Sequence, residues 1–257
     1  MSSLPKISII TIVFNDESNI EKTIQSVISQ DYDNIEYIII DGKSYDNTVK
    51  LIKKYDSQIF KWISEEDKGI YDAMNKGIDL SSGEYIIYMN SGDSFYNTSV
   101  ISNIFIKNKL SHERDIVFGD TRAVFSDYSR VIKGKYPDNL NPMSFNHQSV
   151  FVKTALLKKN KFNTVYKICS DKNLFAEFFN ENRTYLYIPE IIANITAIGY
   201  SNSSRINTSI ETRLIYKKNN IPTSKINLQI LKSFIITLGE KLLGKNVIAS
   251  LRKLLIR

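Results

Sequence analysis

Two carboxylates of this 257-residue chain stand where apolar runs break off, placed so that both could meet one ligand. Ile38-Ile39-Ile40 ends in Asp41-Gly42, followed by Ser44, Asp46 and Thr48; Tyr85-Ile86-Ile87-Tyr88-Met89 ends in Asn90-Ser91-Gly92-Asp93. Open α/β sheets bind their ligands at the carboxyl ends of such strands. Acids delivered there from two strands can hold a base or ribose on one side and a metal-bound diphosphate on the other. That chemistry reads first as an enzyme's.

The elements that must position these acids alternate from the start of the chain. Residues 6–14 form a β-branched strand, and Ser18-Asn19-Ile20-Glu21 reads as a capping box opening a helix. Ile20, Ile24, Val27 and Ile28 give that helix one apolar stripe at the 3.6-residue period. Residues 36–40 are almost wholly apolar, the mark of a strand buried on both faces. A helix over 48–55, a strand over 60–64, a helix over 70–77 and a strand over 84–89 follow. This order predicts right-handed crossovers and a mostly parallel sheet. Beyond Asp93 the pattern loosens: a helix over 99–109, then strands over 116–118, 122–125, 130–132 and 149–152. A helix over 171–180 precedes two closing strands, 184–188 and 191–196, around Pro189. From residue 207 onward the pattern is helical, so a catalytic domain of 1–206 and a helical segment of 207–257 are expected.

Composition narrows the class. The single Cys169 excludes an internal disulfide framework and suits a reducing compartment; as a small buried hydrophobe it needs no chemistry. No apolar run approaches the ~20 residues that span a bilayer, and Met1–Ile10 lacks the basic-then-apolar order of a signal peptide. A cytoplasmic protein is expected. The net charge of +7 is concentrated at one end: Lys225 to Arg257 holds seven basic residues against Glu240 alone, so the body is nearly neutral. A nucleic-acid partner is therefore not expected, because no broad basic face is available. Ile226, Ile230, Phe234, Ile235, Leu238 and Leu242 share one helical face, with Lys232 and Lys241 off it. Such a face suits an anionic membrane surface, with helices packed on the core as the competing reading. No P-loop or zinc cluster is present. The acidic, glycine-free Asn15-Asp16-Glu17-Ser18 argues against a sugar-nucleotide pyrophosphorylase.

Several runs together carry a family resemblance. Ile9-Ile10-Thr11-Ile12-Val13-Phe14-Asn15, the Asp41-Gly42-x-Ser44-x-Asp46-x-Thr48 run, and Asp67 to Gly77 resemble the family 2 glycosyltransferases. Asn90-Ser91-Gly92-Asp93, His147-Gln148 and Ser170-Asp171 extend the resemblance over residues 5 to 200. It implies a GT-A fold: a Rossmann-like, mostly parallel sheet with flanking helices, here followed by C-terminal amphipathic helices. It also implies an inverting hexosyl- or N-acetylhexosaminyl-transferase acting in bacterial O-antigen, capsule or exopolysaccharide synthesis. Such an enzyme moves a sugar from a nucleoside diphosphate, usually UDP, to a lipid-linked saccharide, working at the inner face of the cell membrane.

Carried onto these positions, the resemblance places Phe14 on the base and Asp41 as its hydrogen-bonding acid. Thr11, Asn15, Lys68, Asp72, Asn75, Asn90, Ser91 and His147 join them around the nucleotide sugar. Asp93 becomes the acid that reaches the ribose and a Mg²⁺ or Mn²⁺ ion on the diphosphate. Asp171 becomes the general base toward the acceptor hydroxyl. The chemistry agrees, since a departing diphosphate needs its charge neutralised and the incoming hydroxyl needs a base on the opposite face. Three positions depart from the family pattern: Asn90 and Gly92 stand where the metal motif usually has acids, and Asn173 stands where a second acid often follows Asp171. A noncatalytic sugar- or nucleotide-binding module would also explain the eroded motif. Each residue has a plainer reading as well. Asp41 and Asp171 suit helix N-caps, Asp93 a turn cap, Phe14 core packing, His147 a satisfied structural histidine, and Lys68 a solvated lysine.

Overall fold

The computed structural model describes residues 4–108, 114–196, 205–224, 226–228 and 230–231. In chain order it contains β1 (Ile7–Val13), α1 (Ile20–Ile28), β2 (Ile35–Asp41), α2 (Thr48–Lys54), β3 (Lys61–Ser64), α3 (Ile70–Leu80) and β4 (Tyr85–Tyr88). There follow β5 (Ser94–Phe95), α4 (Val100–Ser102), which runs into a π-turn at Asn103–Lys107, β6 (Ile116–Val124), β7 (Ser129–Ile132) and β8 (Val150–Lys153). The last are α5 (Thr154–Lys159), α6 (Ser170–Asn180), β9 (Tyr185–Thr196) and α7 (Arg205–Lys218).

One mixed sheet runs β3-β2-β1-β4-β8-β6-β9-β5, with β7 on β6. The parallel part is β3-β2-β1-β4, with a second parallel ladder between β6 and β9. β8 is antiparallel to both β4 and β6, which joins the two halves. Strand alternation divides the core. Ile7, Ile9, Val13, Ile39 and Ile87 face α1 and α2; Ile10, Ile12, Ile38, Ile40 and Tyr88 face α3 and α6. Both faces are covered, so the strands read as continuous apolar runs. The chain moves from β1 out to β3 and then returns past β1 to β4, making a switch point between β1 and β4.

Two close approaches fix α3 and the turn before β4. A Cβ on Gly77 would lie 2.6 Å from Ile10 Cγ2, so α3 sits against β1 at backbone distance. Gly77→Val is expected to destabilise the fold by about 1–3 kcal/mol through overpacking, read as a lowered midpoint in thermal unfolding. The buried Glu36 carboxylate accepts bonds from Ser8 Oγ (2.6 Å), Ser82 N (2.7 Å) and Ser82 Oγ (2.5 Å), tying that turn to β1 and β2.

Some elements differ from the sequence expectation. The two strands expected on either side of residues 119–121 are one strand, β6, and the two expected around Pro189 are one strand, β9. Their register shifts at Phe118/Asp120, where Gly119 lets the chains close in: a Cβ there would lie 2.6 Å from Glu190 O. The Ser18 capping box does not form, since the N-cap of α1 is Asn19 and carries no side-chain cap. Asn19 Nδ2 instead donates to Asp16 Oδ1 at 2.6 Å.

The expected 206/207 boundary falls in the first turn of α7 (Arg205–Lys218). α7 packs on α6, and Ile215 and Ile221 join Cys169 and Ala176 in a small apolar cluster. The described part of the C-terminal segment therefore belongs to the folded body. Ile226, first residue of the proposed membrane face, is buried, and that face from residue 232 onward lies outside the described residues. No helix among the described residues is long and apolar enough to cross a membrane.

Candidate active site

The carboxyl ends of β1, β2, β3 and β4 project four loops onto one edge of the sheet: residues 14–19, 42–47, 65–69 and 89–93. The first two are laced together. Asn15 adopts φ 49° and donates its backbone N–H to Ser44 Oγ (2.8 Å), while its Oδ1 accepts from Tyr45 N (3.0 Å). Asp16 N–H reaches Thr48 Oγ1 (2.9 Å), and Glu17 Oε2 accepts from Asn47 N (2.8 Å). Across the switch point, Ser91 Oγ donates to Asp16 Oδ2 at 2.6 Å, which closes the β1 loop onto the β4 loop. Phe14, 58% exposed, meets Tyr45, 86% exposed, edge to face at 6.1 Å. Two exposed aromatics on a rigid loop pair offer a platform for a flat ring.

Asp41 ends β2 and leads into the loop that carries Tyr45. Its carboxylate is fully buried and accepts from Ser44 N (3.0 Å), Ser44 Oγ (2.5 Å) and Ser64 Oγ (2.6 Å). It caps no helix, since Asn47 is the N-cap of α2. Its visible work is to shape the 42–48 turn that carries Tyr45.

The second group gathers around a 3₁₀ turn, His147–Ser149, that leads into β8. Ser149 anchors this turn through a 2.6 Å hydroxyl contact with Thr121 on β6. Gln148 Nε2 donates to Asp93 Oδ2 at 3.2 Å. His147 points both ways, with Nε2 3.3 Å from Asn90 Nδ2 and Nδ1 3.5 Å from Asp171 Oδ2. The imidazole thus bridges the Asn90 amide and the Asp171 carboxylate. Asp171 stands in the first turn of α6; its Oδ1 accepts from Lys172 N (2.9 Å) and lies 3.2 Å from the Tyr71 hydroxyl on α3. Three chain segments separated by dozens of residues thus meet in Asp93, His147 and Asp171.

Burial acts differently on the two acids. Desolvation pushes Asp93 up to about 6, and the opposing pull of His147, Gln148 and Lys22 does not offset it. Asp171 is raised by burial as well. The His147 hydrogen bond and charge, with Lys172, outweigh that effect and hold it below the usual carboxylate range. Burial, then the Asp171 charge, raises the Tyr71 hydroxyl, which therefore stays a protonated donor. Asp171 is ionised at neutral pH; Asp93 is a carboxylate whose charge lacks full compensation.

The remaining expected residues divide. Lys68 is exposed in the β3–α3 loop, and its backbone N–H donates to Asp72 Oδ2 at 3.0 Å, closing the start of α3. Asn75 uses both amide atoms on the backbone of Phe162, at 2.9 Å each, and so braces the loop before α6. Thr11 is wholly buried in β1, with its hydroxyl bonded to Met89 O (2.7 Å) and Tyr37 OH (3.0 Å). Tyr45, Asp16, Tyr71 and Gln148 were missed. Gln148 and Tyr71 sit inside the runs that carry the family resemblance, whereas nothing local marks Asp16 as the partner of Ser91. A separate concavity of about 360 Å³, lined by Val27, Tyr32, Gln58 and Phe60 among others, carries no acid, lysine, histidine or cysteine.

Residues 8–172 match the family model described as glycosyl transferase family 2. The chain belongs to that family. An uncharacterized glycosyltransferase of Mycobacterium tuberculosis is 41% identical over 103 residues, covering 40% of this chain and 39% of the relative. The match thus spans about two fifths of that relative's length. A PGL/p-HBAD biosynthesis glycosyltransferase of Mycobacterium bovis is 21% identical over 82% of this chain and 84% of its own. Among solved structures, the mannosyltransferase PcManGT from Pyrobaculum calidifontis, in complex with GDP-Man and Mn²⁺, aligns with TM-score 0.69 and 13% identity. It covers 100% of this chain and 82% of that one. S. aureus TarS 1-349 in complex with UDP-GlcNAc aligns with TM-score 0.65 and 19% identity, over 93% and 76% of the two chains. The family 2 chain therefore has the GT-A fold, with its mixed sheet and flanking helices.

Proposed function

We propose that this chain is an inverting glycosyltransferase that moves a hexosyl or N-acetylhexosaminyl group from a nucleoside diphosphate, UDP first, to a saccharide acceptor. The observation that carries the reading is the meeting of Asp93, His147 and Asp171 beside the switch point. The base rests on Phe14 and Tyr45, and the diphosphate lies toward Asn90 and Asp93. Asp171, ionised and held by His147 and Tyr71, takes the proton of the acceptor hydroxyl as its oxygen attacks the anomeric carbon. The bond to the diphosphate breaks on the opposite face, so the configuration inverts.

A divalent cation fits here, though weakly. Among the described residues no group of three or more His, Cys, Asp or Glu gathers to hold a metal. Asp93 is nonetheless a buried carboxylate raised to about 6, and Asn90 Oδ1 is buried without a hydrogen-bond partner. These are hard oxygens, which suit Mg²⁺ or Mn²⁺ completed by water and phosphate oxygens. When bound, the ion neutralises charge on the leaving diphosphate. A lipid-linked acceptor at the cytoplasmic membrane face, in O-antigen, capsule or exopolysaccharide synthesis, extends the proposal; the basic segment from Lys225 to Arg257 supports it.

A thermal-shift screen of UDP- and GDP-sugars with and without Mn²⁺ tests the reading. A UDP-sugar should raise the midpoint, more so with Mn²⁺; no response to any sugar nucleotide would defeat it. Donor turnover separates an enzyme from a binding module on the same fold. Phe14→Ala is expected to weaken UDP binding about tenfold, since a base stacked on an aromatic contributes roughly 1–3 kcal/mol. Calorimetry reads this directly, and unchanged affinity would move the base elsewhere.

A further inference from the structure

Glu211 on α7 lies outside the part of the chain that matches the family model. Its carboxylate nevertheless accepts three consecutive backbone N–H bonds from the segment leading into α6. Lys167 N donates to Oε1, and Ile168 N and Cys169 N donate to Oε2, all at 2.9 Å. Cys169, the N-cap of α6, makes no side-chain cap of its own. Glu211 therefore supplies the anion for backbone donors at this helix start, where an acid is favoured by the helix dipole.

The clamped peptide touches the base by two routes. Asp171 follows Cys169 by two residues, so its Cα position is set by the same turn. The Ile168 carbonyl accepts the Tyr71 hydroxyl at 2.7 Å, and that hydroxyl stands 3.2 Å from Asp171 Oδ1. Further contacts keep α7 in place: Lys172 Nζ to Thr212 Oγ1 at 3.2 Å, and Lys218 Nζ to Glu177 Oε1 at 3.0 Å. Ile215, fully buried, seals the interface against Cys169 and Ala176.

We infer that Glu211 is a positioning residue for Asp171, and that α7 is a working part of the transfer site. The inference rests on Asp171 being the base. Without Glu211 three backbone donors lose their common acceptor, the 167–169 peptide can rotate, and Asp171 leaves its register with His147. Among the described residues, the hydrogen bonds of the Phe14–Tyr45 platform run to the loops of β1 and β2 and to Ser91, away from α7.

The test uses the full chain with UDP-GlcNAc and GDP-mannose, following whichever the wild type turns over. Glu211→Ala is expected to lower kcat at least tenfold per donor-binding site counted by calorimetry, with KM for the sugar nucleotide within twofold. The acid limb of its kcat–pH profile should also move upward, because Asp171 is no longer held by His147 and Lys172. Formate should restore part of the rate to Glu211→Ala by entering the vacated N–H cluster, and should leave Asp171→Asn inactive. If Glu211→Ala does not fold, Glu211→Gln, which keeps one acceptor oxygen, is measured in the same way. A per-site kcat within threefold of wild type and an unmoved acid limb would overturn the inference. A wild-type chain that turns over no sugar nucleotide, or an active Asp171→Asn, would instead overturn the parent reading.

Discussion

Asp171→Asn is expected to stop sugar transfer while donor binding stays intact. The substitution keeps the size of the side chain and one oxygen for Lys172 N and the Tyr71 hydroxyl, so α6 keeps its first turn. What it removes is the only carboxylate in that segment, since Asn173 stands two residues on. A positioned general base contributes about 10²–10⁴-fold in rate. Steady-state transfer measured beside UDP calorimetry separates the two effects, and transfer within threefold of wild type would end the assignment. The pH profile gives a second check. Asp171 is depressed because His147 and Lys172 outweigh its burial, so the wild-type acid limb should fall below the usual carboxylate range. His147→Ala leaves burial with less opposition, and its limb should move to higher pH.

Asp93→Asn has two effects of opposite sign. In the folded chain Asp93 titrates at about 6, above its ordinary value of 3.8, because it is desolvated. A raised acid costs stability once it ionises: the penalty is absent below pH 4, grows as pH rises through 6 and is complete above it. Two pKa units correspond to about 3 kcal/mol. Without divalent ions, Asp93→Asn should therefore melt higher than wild type at pH 7.5, and the difference should fade toward pH 4. With Mn²⁺ and a UDP-sugar the order should reverse, since only the wild type gains from cation-assisted binding. A variant that melts no higher and keeps the full Mn²⁺ response would show that Asp93 has another task.

The fold was legible where physics is local. The runs at 36–40 and 84–89 are apolar because both faces of β2 and β4 are covered, and the helix at 48–55 shows its period directly. Reading failed where a distant partner decides. Pro189 breaks a strand pattern, yet β9 passes through it because Gly119 on β6 admits the irregularity at Glu190. Much the same division holds for the site. Asp93 and Asp171 could be picked out by residue type and context, and the structure brings their surroundings together through His147. The burial of Thr11 and the enclosure of Asp41 depend on Tyr37, Met89 and Ser64, which no local spacing announces. The acidic loop at Asn15–Ser18 looked like a negative argument; in the folded chain Asp16 is the residue that Ser91 binds across the switch point.

The pairing of β8 with β4 bears on how the chain is made. Both nucleotide-side loops and the whole β3-β2-β1-β4 ladder are complete once residue 93 has left the ribosome. The partner of β4 on its other side, Val152 and Lys153 against Ile86 and Tyr85, arrives some sixty residues later. In that interval the nascent chain shows an apolar, unpaired edge, the kind of surface that recruits other strands. Asp171, the proposed base, appears later still. Pausing or truncation between residues 93 and 150 would thus leave a species prone to associate, with the loops after β1 to β4 formed and Asp171 still absent.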